Sequence, residues 1–412
     1  MNDFFEFSPA LRELQVQTMA EISPAFAEID ALTEHNQHKV LAAFMRHRVS
    51  ETHFAETTGY GYGDRGREVL DEVFADVLGC ESALVRHSFA SGTHTLAVAL
   101  FGLLRPGDCM LSVTGRPYDT ILPVIGLAGS GMGSLADFGV RYEEVALTAQ
   151  GKPDLPAIAQ AISVHQPKMV YIQRSRGYTL RPSLLVEEIN EIAQLAKQHG
   201  NAIVFVDNCY GEFVQRTEPD VDIIAGSLIK NPGGGLAKSG GYIAGRADLV
   251  ELCAYRATTP GLGSEVGASL GQNRSLFMGL FHAPHVVGES LKTAVFAAAL
   301  FARMGYAVSP TWNEQRADII QSVTLGQPEK LIALCQGLQA GAPVDAHVQP
   351  QPWEMPGYDS QVIMAAGAFT MGASIELSAD APLREPYAAW LQGGLNFHSA
   401  KVGVLKAAEK LL

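Results

Sequence analysis

Two hydrophobic periods take turns along this chain, and their alternation predicts the architecture. From about Ser8 to Arg48 apolar positions recur at helical spacing, with Ser23-Pro24 reading as a helix start. Thr57 to Gly66 then breaks the pattern with glycines and tyrosines. Beyond it, short apolar runs of strand length alternate with longer helical stretches. Helices are expected over Arg67 to Leu78, Thr93 to Leu104 and Leu184 to His199. Strands are expected at Ala83 to Arg86, Cys109 to Val113, Lys168 to Gln173 and Ala202 to Asp207. That order predicts an α/β protein with a mainly parallel sheet covered on both faces. Ligands in such sheets sit at the carboxyl ends of the strands. Lys230 closes the next short strand, and Gly240 to Gly245 reads as its returning partner.

A long helix from about Val286 to Arg303 leads into a smaller α+β region. Its expected strands are Asp318 to Leu325, Ala346 to Val348, Gln361 to Ala365 and Ser374 to Leu377, with helices at Pro328 to Leu338 and Ser399 to Leu411. The chain divides on this reading into a helical arm (1–60), a large ligand-binding domain (61–290) and a small C-terminal α+β domain (291–412).

Composition narrows the function classes. With 412 residues, 47% hydrophobic and 18% charged, the chain can bury a large core. A net charge of −13 argues against nucleic acid and against anionic membrane surfaces as partners. The five cysteines are scattered without CxxC or zinc spacing and suit a reducing compartment. The first residues show no basic segment or cleavable apolar run, and the apolar stretch around Ala294 to Ala302 is short for a bilayer span. A soluble, cytoplasmic protein is expected.

The chemistry concentrates in three segments. Val204-Phe-Val-Asp-Asn-Cys209 is an apolar strand ending in Asp207, and Gly226-Ser-Leu-Ile-Lys-Asn-Pro-Gly-Gly-Gly235 follows with Lys230. A lysine that forms a Schiff base and an aspartate that keeps a pyridine nitrogen protonated are the two groups a pyridoxal 5′-phosphate site requires. Phe89-Ala-Ser-Gly-Thr-His-Thr95 opens a helix, so Ser91, Gly92 and Thr93 offer hydroxyls and free N–H groups to a phosphate. The plainer reading of that turn is an ordinary helix cap, and of Lys230 a surface lysine before a glycine loop. Gly61, Gly63 and Gly66 spell GxGxxG but follow no strand, which argues against a dinucleotide site. His282 and His285 flank Pro284 with no carboxylate ligand, so packing is favoured over metal, and no metal is expected. Cys209 has no identifiable histidine partner and reads as a small packed residue.

Taken together, Tyr60-Gly-Tyr-Gly-Asp-Arg-Gly-Arg67, Gln173-Arg-Ser-Arg-Gly-Tyr178, Val206-Asp-Asn-Cys-Tyr-Gly-Glu-Phe213 and Gly226 to Gly235 resemble a known family. It is the cystathionine/methionine lyase group of fold-type I pyridoxal-phosphate enzymes, most closely the branch of aluminium-resistance or methionine gamma-lyase-like proteins. The resemblance implies a seven-stranded, mainly parallel sheet, with Lys230 as the aldimine lysine and Asp207 as the pyridinium partner. It implies that Tyr118 stacks on the cofactor and assists proton transfer, and that Ser91, Gly92, Thr93 and Ser227 hold the phosphate. Tyr60 or Tyr62, with Arg65, would reach a neighbouring subunit's site in a homodimer or homotetramer. Where the group carries a carboxylate-binding arginine before Leu-Ser, this chain has Glu376 before Leu377-Ser378, so Arg384 or Arg176 would bind the substrate carboxylate. Gln173 to Arg176 stands where the group has an asparagine loop. The implied reaction is β- or γ-elimination from a sulfur amino acid, giving a keto acid, ammonia and a thiol. Transamination, racemisation and a cofactor-binding sensor with little turnover stay open.

Overall fold

The computed structural model describes residues 4–355 and 360–412. Seven strands form the first sheet: β1 (Ser82–Arg86), β2 (Cys109–Ser112), β3 (Arg141–Glu144), β4 (Met169–Gln173), β5 (Ile203–Asp207), β6 (Ile223–Ser227) and β7 (Gly241–Gly245). Their order is β1-β7-β6-β5-β4-β2-β3. β7 runs antiparallel to β1 and β6, and the remaining pairs are parallel. Strands β8 (Ala307–Ser309), β9 (Gln321–Thr324), β10 (Val362–Ala365), β11 (Ser378–Pro382) and β12 (Ala388–Gln392) form a second, antiparallel sheet ordered β10-β11-β12-β9-β8.

Ten α-helices accompany the sheets among the described residues. They are α1 (Pro9–Arg46), α2 (Arg65–Leu78), α3 (Gly92–Leu103), α4 (Leu122–Ile125) and α5 (Leu155–His165). The rest are α6 (Val186–His199), α7 (Ala247–Ala257), α8 (Asn273–Arg303), α9 (Pro328–Gln339) and α10 (Phe397–Glu409).

The central strands are apolar at nearly every position because both faces of the sheet are covered. Val170, Ile172, Val204 and Val206 enter one core, while Met169, Tyr171, Ile203 and Phe205 enter the other. Each fully buried aliphatic side chain contributes about 1.5–3 kcal/mol, so the strand ends are fixed by many such contacts in parallel. A rigid edge of Gln173, Asp207 and Ser227 results, aligned through the pairs Gln173↔Asp207 and Asp207↔Ala225.

Several expectations are corrected by the structure. Ser23-Pro24 starts no helix: α1 begins at Pro9, capped by the Ser8 hydroxyl accepting from the Leu11 N–H, and continues through Pro24. A mid-helix proline costs roughly 3 kcal/mol, here offset by α1 packing along α8 with Ile22 and Ile29 buried. The long helix begins at Asn273 rather than Val286 and runs through the buried Pro284. Its 31 residues are long and apolar enough to cross a membrane, yet 78% of its most apolar window is buried inside the protein, as in a core helix. Ala346 to Val348 is no strand but a turn closed by the Val348 N–H on the Asp345 carbonyl. Ser374 to Leu377 precedes its strand, because the Ile375 N–H is spent on the Ile229 carbonyl beside Lys230. The pattern also missed β3, β8 and β12, a polar edge strand and two short ones.

Candidate active site

A cavity of about 230 Å³ lies across the carboxyl ends of β4, β5 and β6. Gly92, Thr93, Tyr118, Asp207, Cys209 and Lys230 line one end of it. Asp380, Trp390, Tyr178 and Ile320 line it as well. The first group belongs to the parallel sheet and its loops, whereas Asp380 and Trp390 stand on the second sheet.

Asp207 is buried, and the Cys209 backbone N–H donates to its Oδ1 (3.2 Å), fixing the carboxylate at the strand end. Burial holds its pKa above the ordinary carboxylate value, against the attraction of Lys230. Lys230 stands three residues beyond the end of β6, with Nζ 4.0 Å from the centroid of the Tyr210 ring. Burial opposes its charge, but its acidic neighbours, Asp207 by its charge and Tyr210 by a side-chain hydrogen bond, raise its pKa above the usual lysine value. Tyr210 adopts φ +70°, a conformation disfavoured for a bulky residue, and presents its ring to the lysine. Burial likewise pushes the Cys209 thiol far up, so it is no thiolate at neutral pH.

Beneath Asp207 the next residue anchors a closed polar network. Asn208 Nδ2 donates to Glu218 Oε2 (3.0 Å) and to the Tyr242 hydroxyl (3.2 Å), while Arg174 Nη1 donates to Asn208 Oδ1 (2.8 Å) and Glu218 (3.0 Å). The Tyr242 hydroxyl donates to Glu212 Oε1 (2.7 Å). Burial pushes Glu212 up to about 8, with the nearby Glu218 charge adding to it, so Glu212 is largely protonated at neutral pH.

At the start of α3, Ser91 is the N-cap, and its hydroxyl oxygen accepts from the His94 N–H (3.1 Å). This is the cap reading, and it leaves the hydroxyl proton free to donate. A Cβ added to Gly92 would come within 3.2 Å of Ser227 Cβ, so a side chain would fill the notch there. The Ser227 hydroxyl is buried and has no hydrogen-bond partner among the described residues. Thr93 and Thr120 share a hydroxyl contact (2.7 Å) at the rim.

Tyr118 is aimed by Gln173, whose Oε1 accepts from the Tyr118 N–H (2.7 Å) and whose Nε2 donates to the Ser175 carbonyl (2.9 Å). Gly177, at φ +57°, allows the same approach, because a Cβ there would lie 3.1 Å from the Tyr118 ring. The glutamine that departs from the family pattern thus fixes the loop carrying Tyr118.

Ser91 and Ser227 stand beside Gly92 but outside the cavity lining, as do the remaining expected residues. Tyr62 is exposed and stacks on exposed Tyr60, with centroids 5.6 Å apart, and Arg65 is exposed at the start of α2. Arg176 is buried, donating to Ser309 and Ser322, and Arg384 is on the surface. Sequence reasoning passed over Tyr178, Tyr210, Asp380, Trp390 and Gln392. Tyr178, Tyr210 and Gln392 stand in stretches that carry the family resemblance, and Asp380 carried a signal of its own as an aspartate in the apolar strand Ser378-Ala-Asp-Ala-Pro382. No cluster of three or more His, Cys, Asp or Glu side chains suited to a metal occurs among the described residues.

The family model for methionine gamma-lyase matches residues 11–412. The Bacillus subtilis protein YnbB is 48% identical over 417 residues, spanning 100% of this chain and 99% of its own. A solved carbon-sulfur lyase involved in aluminum resistance from Clostridium novyi NT is 49% identical with TM-score 0.95, covering 98% of this chain and 96% of that one. A proposed cystathionine beta-lyase involved in aluminum resistance from Listeria monocytogenes is 49% identical with TM-score 0.95, over 97% of this chain and 100% of that one. More distant pyridoxal-phosphate enzymes share the fold. The fold is that of the fold-type I pyridoxal-phosphate-dependent enzymes. The chain belongs to the methionine gamma-lyase family and is a carbon-sulfur lyase whose cofactor is pyridoxal 5′-phosphate.

The cavity fits that cofactor on its own terms. An unpartnered Ser227 hydroxyl and a side-chain-free Gly92 at the N-terminus of α3 suit a phosphate, and buried Asp207 suits a cationic ring nitrogen.

Proposed function

We propose that this enzyme eliminates the sulfur substituent of an L-amino acid, with Lys230 carrying the cofactor and moving the substrate α-proton. Bound pyridoxal phosphate supplies the electron sink for the negative charge that develops at the substrate Cα. Lys230 removes the α-proton from its place beside the Tyr210 ring. Asp207, held by the Cys209 N–H, keeps the ring nitrogen protonated. Ser91, Gly92, Thr93 and Ser227 would hold the phosphate, and Tyr118 would stack on the cofactor and deliver a proton to the departing thiolate. The convergence of Lys230, Asp207 and Gly92 on one cavity carries this reading. Tyr62, exposed on the loop before α2, and Arg65, exposed at the start of α2, reach a second subunit's site in a soluble, cytoplasmic homodimer or homotetramer. Arg176 and Arg384 are weaker claimants for the substrate carboxylate, since neither lines the cavity of this chain.

The test is product analysis of the holoenzyme with L-cystathionine, L-cysteine and L-methionine. Pyruvate with a thiol marks β-elimination, and 2-oxobutyrate with a thiol marks γ-elimination. Exchange of the α-proton with solvent without keto acid or thiol from any sulfur amino acid would overturn the lyase reading in favour of racemisation. Sulfur is eliminated from at least one of the three if the assignment holds.

A further inference from the structure

We propose that the side of the cavity formed by the second sheet is a cation subsite, in which Asp380, Tyr178 and Trp390 receive a positively charged group on the substrate side chain. The inference rests on the amino-acid-lyase reading for the near end of the substrate, and it names the class of side chain.

Asp380 is 4% exposed and lines the cavity; the Tyr178 side chain hydrogen-bonds it and the Lys230 charge acts on it, yet its Oδ1 makes no well-formed hydrogen bond among the described residues. A buried carboxylate oxygen left this way is costly unless a ligand satisfies it. Its position follows from strand alternation. Ala379 and Ala381 on β11 and Leu391 on β12 point into the hydrophobic core, so Asp380 and its cross-strand partner Trp390 share the opposite face, towards the cavity. Leu or Val at position 380 would have served a purely structural strand better.

Aromatic rings stand around this carboxylate. Tyr178 and Trp390 lie 5.4 Å apart between centroids, and Tyr118 meets Tyr178 edge-on at 5.4 Å. The Trp390 indole N–H donates to the Thr179 carbonyl (3.3 Å), which fixes the ring. Ring faces attract cations, more strongly where water is excluded, and a carboxylate beside them supplies the counter-charge.

The charge inventory agrees. The lining residues include two aspartates, Asp207 and Asp380, against the single cation Lys230, and no arginine. Arg176, Arg181 and Arg316 are buried nearby in sequence or sheet, but they donate to Ser309, the Gln173 and Ser175 carbonyls, and Gln321 respectively. A neutral thioether tail would leave Asp380 unsatisfied. A compact ammonium would donate to it, and a sulfonium, with no hydrogen to donate, would supply the counter-charge alone.

The test uses matched substrates with the holoenzyme. L-Methionine and S-methyl-L-methionine have nearly the same shape, but the second carries a sulfonium. L-Norleucine and L-lysine form a second pair that differs by an ammonium. Dissociation constants are read from quenching of tryptophan fluorescence or by calorimetry, so the test does not require turnover. The cationic member of at least one pair binds about 30-fold tighter or more, the ratio that about 2 kcal/mol of desolvated cation–π and carboxylate attraction produces. Asp380→Asn brings that ratio close to one, and Trp390→Leu reduces it. Preference for the sulfonium pair alone or the ammonium pair alone identifies the side-chain chemistry. Equal binding of both members of both pairs by the wild-type protein would overturn the proposal, as would an Asp380→Asn protein, folded by circular dichroism, that keeps the full ratio. If cations bind preferentially but no sulfur is eliminated, the subsite stands and the lyase assignment falls.

Discussion

The two ends of the cavity handle buried charge in opposite ways. Behind the cofactor end, Arg174, Glu218, Asn208, Tyr242 and Glu212 form a continuous hydrogen-bonded network, and the Arg174–Glu218 ion pair is wholly buried at 3.0 Å. Polarity there is closed on itself and holds Asp207 from below. On the side formed by the second sheet, Asp380 is buried as deeply, and although Tyr178 and Lys230 act on it, its Oδ1 makes no well-formed hydrogen bond among the described residues. Burial pushes it up to about 6, so it is mostly a carboxylate at neutral pH. A network of this kind serves position, since most of its polar groups are paired before any ligand arrives, Glu212 Oε2 and Arg174 Nε excepted. An open carboxylate serves recognition, because its satisfaction comes from what binds.

Lys230→Ala breaks the cofactor end most severely. Removing the Schiff-base and proton-transfer amine should lower keto-acid formation by about 10⁴-fold or more, with loss of the Schiff-base absorbance band. The network behind Asp207 does not include Lys230, so the variant should unfold within about 1 kcal/mol of the wild type in denaturant titrations. Retained turnover above a hundredth of wild type would remove Lys230 from its assigned role.

The same contrast explains what was legible from sequence. The parallel sheet could be read because its strands are apolar at almost every position, and the chemistry sits where those runs stop, at Asp207 and just past Ser227. The second-sheet side is assembled from β11 and β12, whose Asp380 and Trp390 become neighbours only through strand pairing. β12 is five residues long and follows Glu385-Pro386, so no local pattern announced it. Helix ends were misjudged where proline lies inside α1 and α8, because packing between those helices overrides local propensity. Glu376 could be seen to replace the family's arginine, but not that its Oε2 accepts from the Thr370 N–H (3.2 Å) outside the cavity lining.

Glu212→Gln tests whether the network is closed, and its effect depends on pH. The folded protein keeps Glu212 protonated up to about 8, whereas the unfolded chain releases the proton near 4.5. The folded state therefore binds more protons between those values, and this residue's contribution makes stability fall as pH rises across that window. Glutamine stays neutral throughout and can still accept from Tyr242. The variant should gain on the wild type as pH increases, by about 1–3 kcal/mol at pH 8 relative to pH 5. Urea midpoints at the two pH values measure the difference, and parallel pH profiles would mean that Glu212 is ionised in the fold.

Ser227→Ala is the mildest change and the most discriminating at the cofactor end. The Ser227 hydroxyl resembles Asp380 in being buried and unpartnered among the described residues, and it stands beside Gly92. If it belongs to the phosphate, alanine should weaken cofactor retention several-fold, corresponding to about 1 kcal/mol for one hydrogen bond to a charged acceptor. The cofactor-free protein should respond in the opposite sense. Removing a buried hydroxyl with nothing to bind relieves a desolvation cost, so its melting temperature should hold steady or rise by a degree or two. Thermal scans with and without added pyridoxal phosphate separate the two effects. Equal loss of stability in both forms would assign Ser227 to packing beneath Gly92, whereas a loss confined to the loaded form assigns it to the phosphate. The second result would make unpartnered buried oxygens the common mark of ligand contact at both ends of the cavity.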